Sequence, residues 1–97
     1  MKHIFQPNDH SCGPTCIKMI LPDNSSTIDE LIHLCLTDWE VGTPPDKMER
    51  AFNLLNVVYQ IKEGFQSLKQ SIENKKPCIL RTILEEIPHW IVIWLLQ

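Results

Sequence analysis

The sequence predicts an α+β fold, with helices first and a small antiparallel sheet after them. Two observations carry this. Up to Asn56, apolar residues recur at helical spacing between strong cap and breaker signals. Beyond Asn56, short β-rich runs alternate with turn residues and a single further helical pattern. The order is that of an N-terminal helical lobe and a C-terminal antiparallel sheet. No internal repeat, low-complexity segment or linker interrupts the 97 residues, so residues 1–97 read as a single domain.

Each element has its own signal. His3, Ile4 and Phe5 form an extended lead-in, ended by Pro7 and the polar loop Asn8-Asp9-His10-Ser11. A first helix is expected from about Cys12 to Leu21, with Cys16, Ile17 and Ile20 at helical spacing and Pro22-Asp23 as its stop. Asn24-Ser25-Ser26 reads as a turn. Thr27 caps a second helix, and Glu30, three residues on, completes a capping box. Its apolar face is Ile28, Leu31, Ile32 and Cys35. Thr37 to Thr43 is a loop carrying Trp39 and Gly42.

Thr43 followed by Pro44 and Pro45 starts a third helix, with Asp46 in its first turn. Met48, Ala51, Phe52 and Leu55 supply its buried stripe, and Asn56 ends it. Val57 to Ile61 reads as a strand. Gly64 precedes a fourth helix near Gln66 to Glu73, with Leu68 and Ile72 inward. Pro77 starts a strand from Cys78 to Ile83; Glu85, Glu86 and Pro88 make a turn; His89 to Leu95 is the last strand. Alternation puts His89, Ile91, Ile93 and Leu95 on one face and Trp90, Val92 and Trp94 on the other.

Composition excludes several function classes. A net charge of −3 with no basic run argues against a phosphate-binding surface, so nucleic acid is not an expected partner. The N-terminus turns polar at once and offers no secretory h-region. The longest apolar run, Trp90 to Leu96, falls far short of the ~20 residues that span a bilayer. Those features predict a cytoplasmic chain with no membrane insertion. Its 4 cysteines are therefore expected as thiols rather than disulfides. Cys16, Cys35 and Cys78 lie in apolar segments, where small buried side chains suit; Cys12 lies between polar and glycine neighbours.

That asymmetry singles out Cys12. A cysteine at a helix start meets unpaired N–H groups and the positive end of the helix dipole, which stabilise a thiolate. Gly13 would keep the side next to the sulfur open, and Pro14 fits a first-turn position where no donor is needed. Gln6 upstream can bring a side-chain amide to the sulfur. His89, in P-H-W-I-V-I-W, is a candidate base. A zinc site from His10, Cys12 and Cys16 lacks a CxxC pair and a second ligand cluster, and no cofactor is implied.

The run Q-P-N-D-H-S-C-G-P-T-C, with H-W-I-V-I near the other end, resembles the papain-like cysteine peptidases. Within them it is similar to the C39 group, which removes leader peptides from bacteriocin precursors. G-T-P-P-D-K-M-E-R-A-F-N-L-L-N resembles that group's Gly-Thr helix entry, and L-K-Q-S-I-E-N-K-K-P-C-I-L its helix followed by a Pro-then-strand step. The resemblance covers nearly the whole chain. It implies a papain-like fold, with Cys12 as nucleophile, His89 as general base and Gln6 in the oxyanion hole. Gly13 and Trp90 would then touch substrate. The family's Asp or Asn that orients the imidazole has no counterpart in the 8 residues after His89, and Asp38 or Glu86 is a candidate for that role.

The implied activity is cleavage of a peptide or isopeptide bond in a peptide or protein substrate. Two other readings share these residues. One is acyl or amide transfer through the same thiol. The other is a weak or inactive peptidase-like binding protein, an inhibitor or adaptor of bacterial or phage origin, that docks a partner protein or a second copy through the old cleft.

Overall fold

In a computed structural model of the chain, residues 4, 6–8, 10–21, 26–84 and 87–93 are described. The elements are α1 (Cys12–Ile20), α2 (Ile28–Leu34), α3 (Pro45–Leu54), α4 (Phe65–Glu73), β1 (Cys78–Leu84) and β2 (Ile87–Ile93). The class is α+β, as the sequence predicts. The chain divides into two compact units, Met1–Val58 and Tyr59–Gln97.

In the first unit, α2 packs against both α1 and α3. The core comes from apolar positions that helical spacing places on facing stripes. Cys16 and Ile17 of α1, Leu31 of α2, Cys35 at its C-cap, and Met48 and Ala51 of α3 are all buried. Phe52 and Leu55, expected in the same stripe, are half-buried. The capping box of α2 is present: the Thr27 hydroxyl accepts from the Glu30 amide at 3.1 Å, and the Glu30 carboxylate accepts from the Thr27 amide at 3.4 Å. Arg50 of α3 donates to the Leu34 carbonyl in the last turn of α2, tying the two helices at the negative end of a dipole.

In the second unit, α4 lies against β1, and β1 pairs antiparallel with β2. The register runs from Cys78 opposite Ile93 to Leu84 opposite Ile87. One face of the hairpin carries Cys78, Leu80, Thr82, His89, Ile91 and Ile93; the other carries Ile79, Arg81, Ile83, Pro88, Trp90 and Val92.

Two expectations are corrected. Val57 to Ile61 forms no strand. Val58 is 97% exposed and Ile61 70%, and β-branched residues need a partner strand and a packed face to become one. Pro88 lies inside β2 opposite Ile83 rather than in the turn, which an edge strand permits. The Thr43-Pro44-Pro45 run starts α3 as expected, with Pro44 as N-cap, and the Thr43 hydroxyl bonds the Thr37 hydroxyl at 2.8 Å. The expected lead-in at His3 and Phe5, the stop and turn between Pro22 and Ser25, the Glu85-Glu86 turn and the strand end at Trp94-Leu95 fall outside the described residues.

Helices α2, α3 and α4 end the same way. Leu36, Asn56 and Lys75 take φ of 49°, 57° and 60°, and the following amides of Thr37, Val57 and Lys76 donate back to Ile32, Phe52 and Ser71. Each is a Schellman motif with a side-chain-bearing residue where glycine is cheapest.

Candidate active site

Cys12 is the first residue of α1, following Ser11. The loop before it is organised around Asn8. The Asn8 carbonyl accepts from the Gln6 side-chain amide at 2.6 Å and from the Ser11 hydroxyl at 3.2 Å, and the Asn8 side-chain oxygen accepts from the His10 amide at 3.3 Å. Ser11 therefore turns its hydroxyl backward and makes no side-chain cap on α1. The first turn of α1 also contains no carboxylate, and Pro14 has no N–H. Ser11 thus leaves the start of α1 without a side-chain cap, and the positive end of the helix falls at the residue that carries the thiol.

Cys12 is itself buried, 6% exposed. Burial therefore does not separate it from Cys16 and Cys35, as its sequence neighbours suggested it would. Burial pushes the Cys16 thiol up to about 12, with the nearby Cys12 adding in the same direction. Burial likewise pushes Cys35 up to about 12, against a smaller opposite effect of Arg50. Cys78, at the start of β1, is half-buried and lies 3.7 Å from the Lys76 carbonyl. All four cysteines are thiols.

Gly13 is buried, and the direction its side chain would take is filled rather than open. A Cβ there would stand 2.9 Å from the Met48 sulfur and 3.0 Å from the Thr43 Cβ. Its absence lets α1 approach α3 and the loop ahead of it. That loop is a closed turn: Asp38 and Gly42 exchange backbone bonds of 2.8 and 3.0 Å, and Gly42 supplies the φ of 74° that closing it requires. The Asp38 carboxylate accepts from the Glu40 and Val41 amides at 2.7 and 3.1 Å, which, with nearby His10 as a lesser cause, hold its pKa below the usual range. Trp39 at the tip is 80% exposed, with its ring 4.1 Å from that of His10. His10 is half-buried, and nothing in the residue spacing announces its contact with Trp39.

Gln6, Cys12 and Gly13 belong to the first unit, His89 and Trp90 to the second. His89 is half-buried in β2, opposite Thr82. Trp90 points to the other face, where the Arg81 guanidinium lies 5.6 Å from its ring. Among the described residues, no group of three or more His, Cys, Asp or Glu is placed to hold a metal ion, and no helix is long and apolar enough to cross a membrane.

Against known families, the model of the peptidase C39 family matches residues 1–97, the entire sequence. The chain belongs to the peptidase C39 family. Its fold class is accordingly that of the papain-like peptidases, and at the level of the family it is cysteine peptidase-like. No curated protein and no solved structure matches it.

Proposed function

We propose that this C39-family chain is a thiol peptidase in which Cys12 is the nucleophile and His89 the general base. The observation that carries the reading is the uncapped start of α1. Ser11 withholds its hydroxyl from the helix, and no first-turn carboxylate competes for the positive end, where Cys12 is the first residue.

The chemistry follows the thiol. His89 takes the Cys12 proton, giving a thiolate–imidazolium pair. The sulfur bonds to the scissile carbonyl carbon, and the carbonyl π pair moves onto oxygen. The Cys12 N–H and the Gln6 amide are the donors for that oxyanion. Gln6 uses one amide hydrogen on the Asn8 carbonyl and keeps a second to give. One such donor is worth roughly 3 kcal/mol in the transition state. The imidazolium protonates the leaving amine as the C–N bond breaks, leaving a thioester. His89 then deprotonates a water that attacks the thioester, and the thiolate departs. Trp90 carries no step here.

Alkylation by iodoacetamide across pH tests this, read by mass spectrometry on wild type, Cys12→Ala and His89→Ala. Cys12 is expected to label fast well below about pH 8, and His89→Ala to slow it by roughly tenfold or more. Cys16 and Cys35 serve as internal controls, since burial holds both near 12. An ordinary thiol profile at Cys12, indifferent to His89, would remove the reading.

One observation favours a second reading. At 6% exposure, Cys12 is covered in this state, as suits a binding protein that keeps the peptidase scaffold without turnover. A folded chain whose Cys12 resists alkylation throughout would support it.

A further inference from the structure

Gln6 has a long, rotatable side chain, and an oxyanion donor works best when it is fixed before the charge appears. The Asn8 carbonyl supplies that restraint, 2.6 Å from the Gln6 amide nitrogen. The same carbonyl accepts from the hydroxyl of Ser11, a fully buried residue directly before Cys12. Its direction depends in turn on the Asn8 side chain. The Asn8 side-chain oxygen accepts from the His10 amide, two residues on, at 3.3 Å, and so closes an Asx turn. The loop is anchored at its other end too, since the Ser11 carbonyl accepts from the Thr15 amide at 3.0 Å within the first turn of α1. Gln6 and Asn8 are both half-buried, so water competes only partly for these groups.

We propose that Asn8 is a positioning residue for the oxyanion donor: its side chain holds the turn whose carbonyl fixes the Gln6 amide. The inference rests on the reading of Cys12 as nucleophile and Gln6 as oxyanion donor. A primary amide carries two hydrogens on one nitrogen, in a fixed plane. With one directed at the Asn8 carbonyl, the direction of the other is set as well, and that is the hydrogen left for the oxyanion. Without the Asn8 side chain the turn loosens, the carbonyl rotates, and the amide samples other rotamers. Asn8 acts through Gln6 alone; no bond is made or broken at it.

The test uses the full chain with Asn8→Ala, Asn8→Ser, Gln6→Ala and the double variant Gln6→Ala/Asn8→Ala. Serine closes the same kind of turn more weakly and adds no charge. Three readouts are taken: the side-chain amide signals of Gln6 in proton–nitrogen spectra, the acylation burst with a p-nitrophenyl ester, and the rate of Cys12 alkylation. Asn8→Ala is expected to move the two Gln6 amide protons towards the shifts of a free glutamine. It should also slow the burst roughly tenfold, about the worth of one hydrogen bond, with alkylation near wild type. Asn8→Ser should recover most of both losses, and Asn8→Ala should cost the burst nothing further once Gln6 is alanine. Unchanged Gln6 signals in Asn8→Ala overturn the proposal. So does an equal slowing with and without the Gln6 side chain, or a joint fall of acylation and alkylation, since either places the effect in the loop. If wild type shows no burst, or Gln6→Ala leaves it unchanged, the reading beneath the proposal fails by itself. The Gln6 amide signals then still decide whether Asn8 fixes that side chain.

Discussion

Gly13 and Thr43 approach so closely that a Cβ on Gly13 would lie 3.0 Å from the Cβ of Thr43 and 3.1 Å from its hydroxyl oxygen. The residue after Cys12 is therefore a packing glycine. Thr43 cannot yield easily: it is buried, 3% exposed, and tied to Thr37.

Gly13→Ala should destabilise the chain for this reason. Alanine gains about 1 kcal/mol of helix propensity over glycine, but overpacking a core contact costs about 1–3 kcal/mol. The steric effect wins, with a net loss of about 1 kcal/mol in urea denaturation. Gly13→Val should lose more, because it adds bulk and a β-branch without the full helical gain. A neutral Gly13→Ala would mean that the Met48 side chain, whose sulfur lies 2.9 Å from the added Cβ, swings aside and takes up the clash.

Much of this fold is legible in the residues, and the gaps have physical causes. The capping box at Thr27 and Glu30 and the helix stop at Asn56 are local, and local signals survive folding unchanged. The strand expected at Val57 to Ile61 depended on a partner that does not pair with it. Leu36 and Lys75 end α2 and α4 with positive φ although neither residue favours it, so their sequence carries no warning. The site divides in the same way. Cys12 at a helix start can be read from spacing alone. The Asn8 carbonyl that gathers Gln6 and Ser11, the His10–Trp39 ring contact and the Thr82–His89 register exist only once the chain has folded.

Stability should fall in alkali through the buried thiols. Cys16 and Cys35 are pushed by burial from an ordinary 9.0 up to about 12. Between those values the folded state keeps protons that the unfolded chain has released, so stability present below pH 9 is lost as pH rises through that window. Urea midpoints measured at about pH 8 and about pH 10.5 should show the fall. Cys35→Ala should begin less stable, having lost a packed side chain, yet fall less between the two conditions. An equal fall in wild type and Cys35→Ala would assign the alkaline loss to other groups.

Gln6→Ala separates thiol activation from oxyanion stabilisation. Alkylation by iodoacetamide displaces iodide at a saturated carbon and builds no negative charge on a carbonyl oxygen. Acylation by a p-nitrophenyl ester does build that charge, which is where the Gln6 amide would act. Removing the amide should therefore slow the acylation burst by about 10²–10³, the cost of losing one oxyanion donor, while leaving the rate of Cys12 alkylation near wild type. The variant also loses the 2.6 Å bond to the Asn8 carbonyl. If that bond mattered mainly for holding the loop ahead of Cys12, both rates should drop together and the thermal midpoint with them. A selective loss of acylation assigns Gln6 to the oxyanion; a shared loss assigns it to the loop.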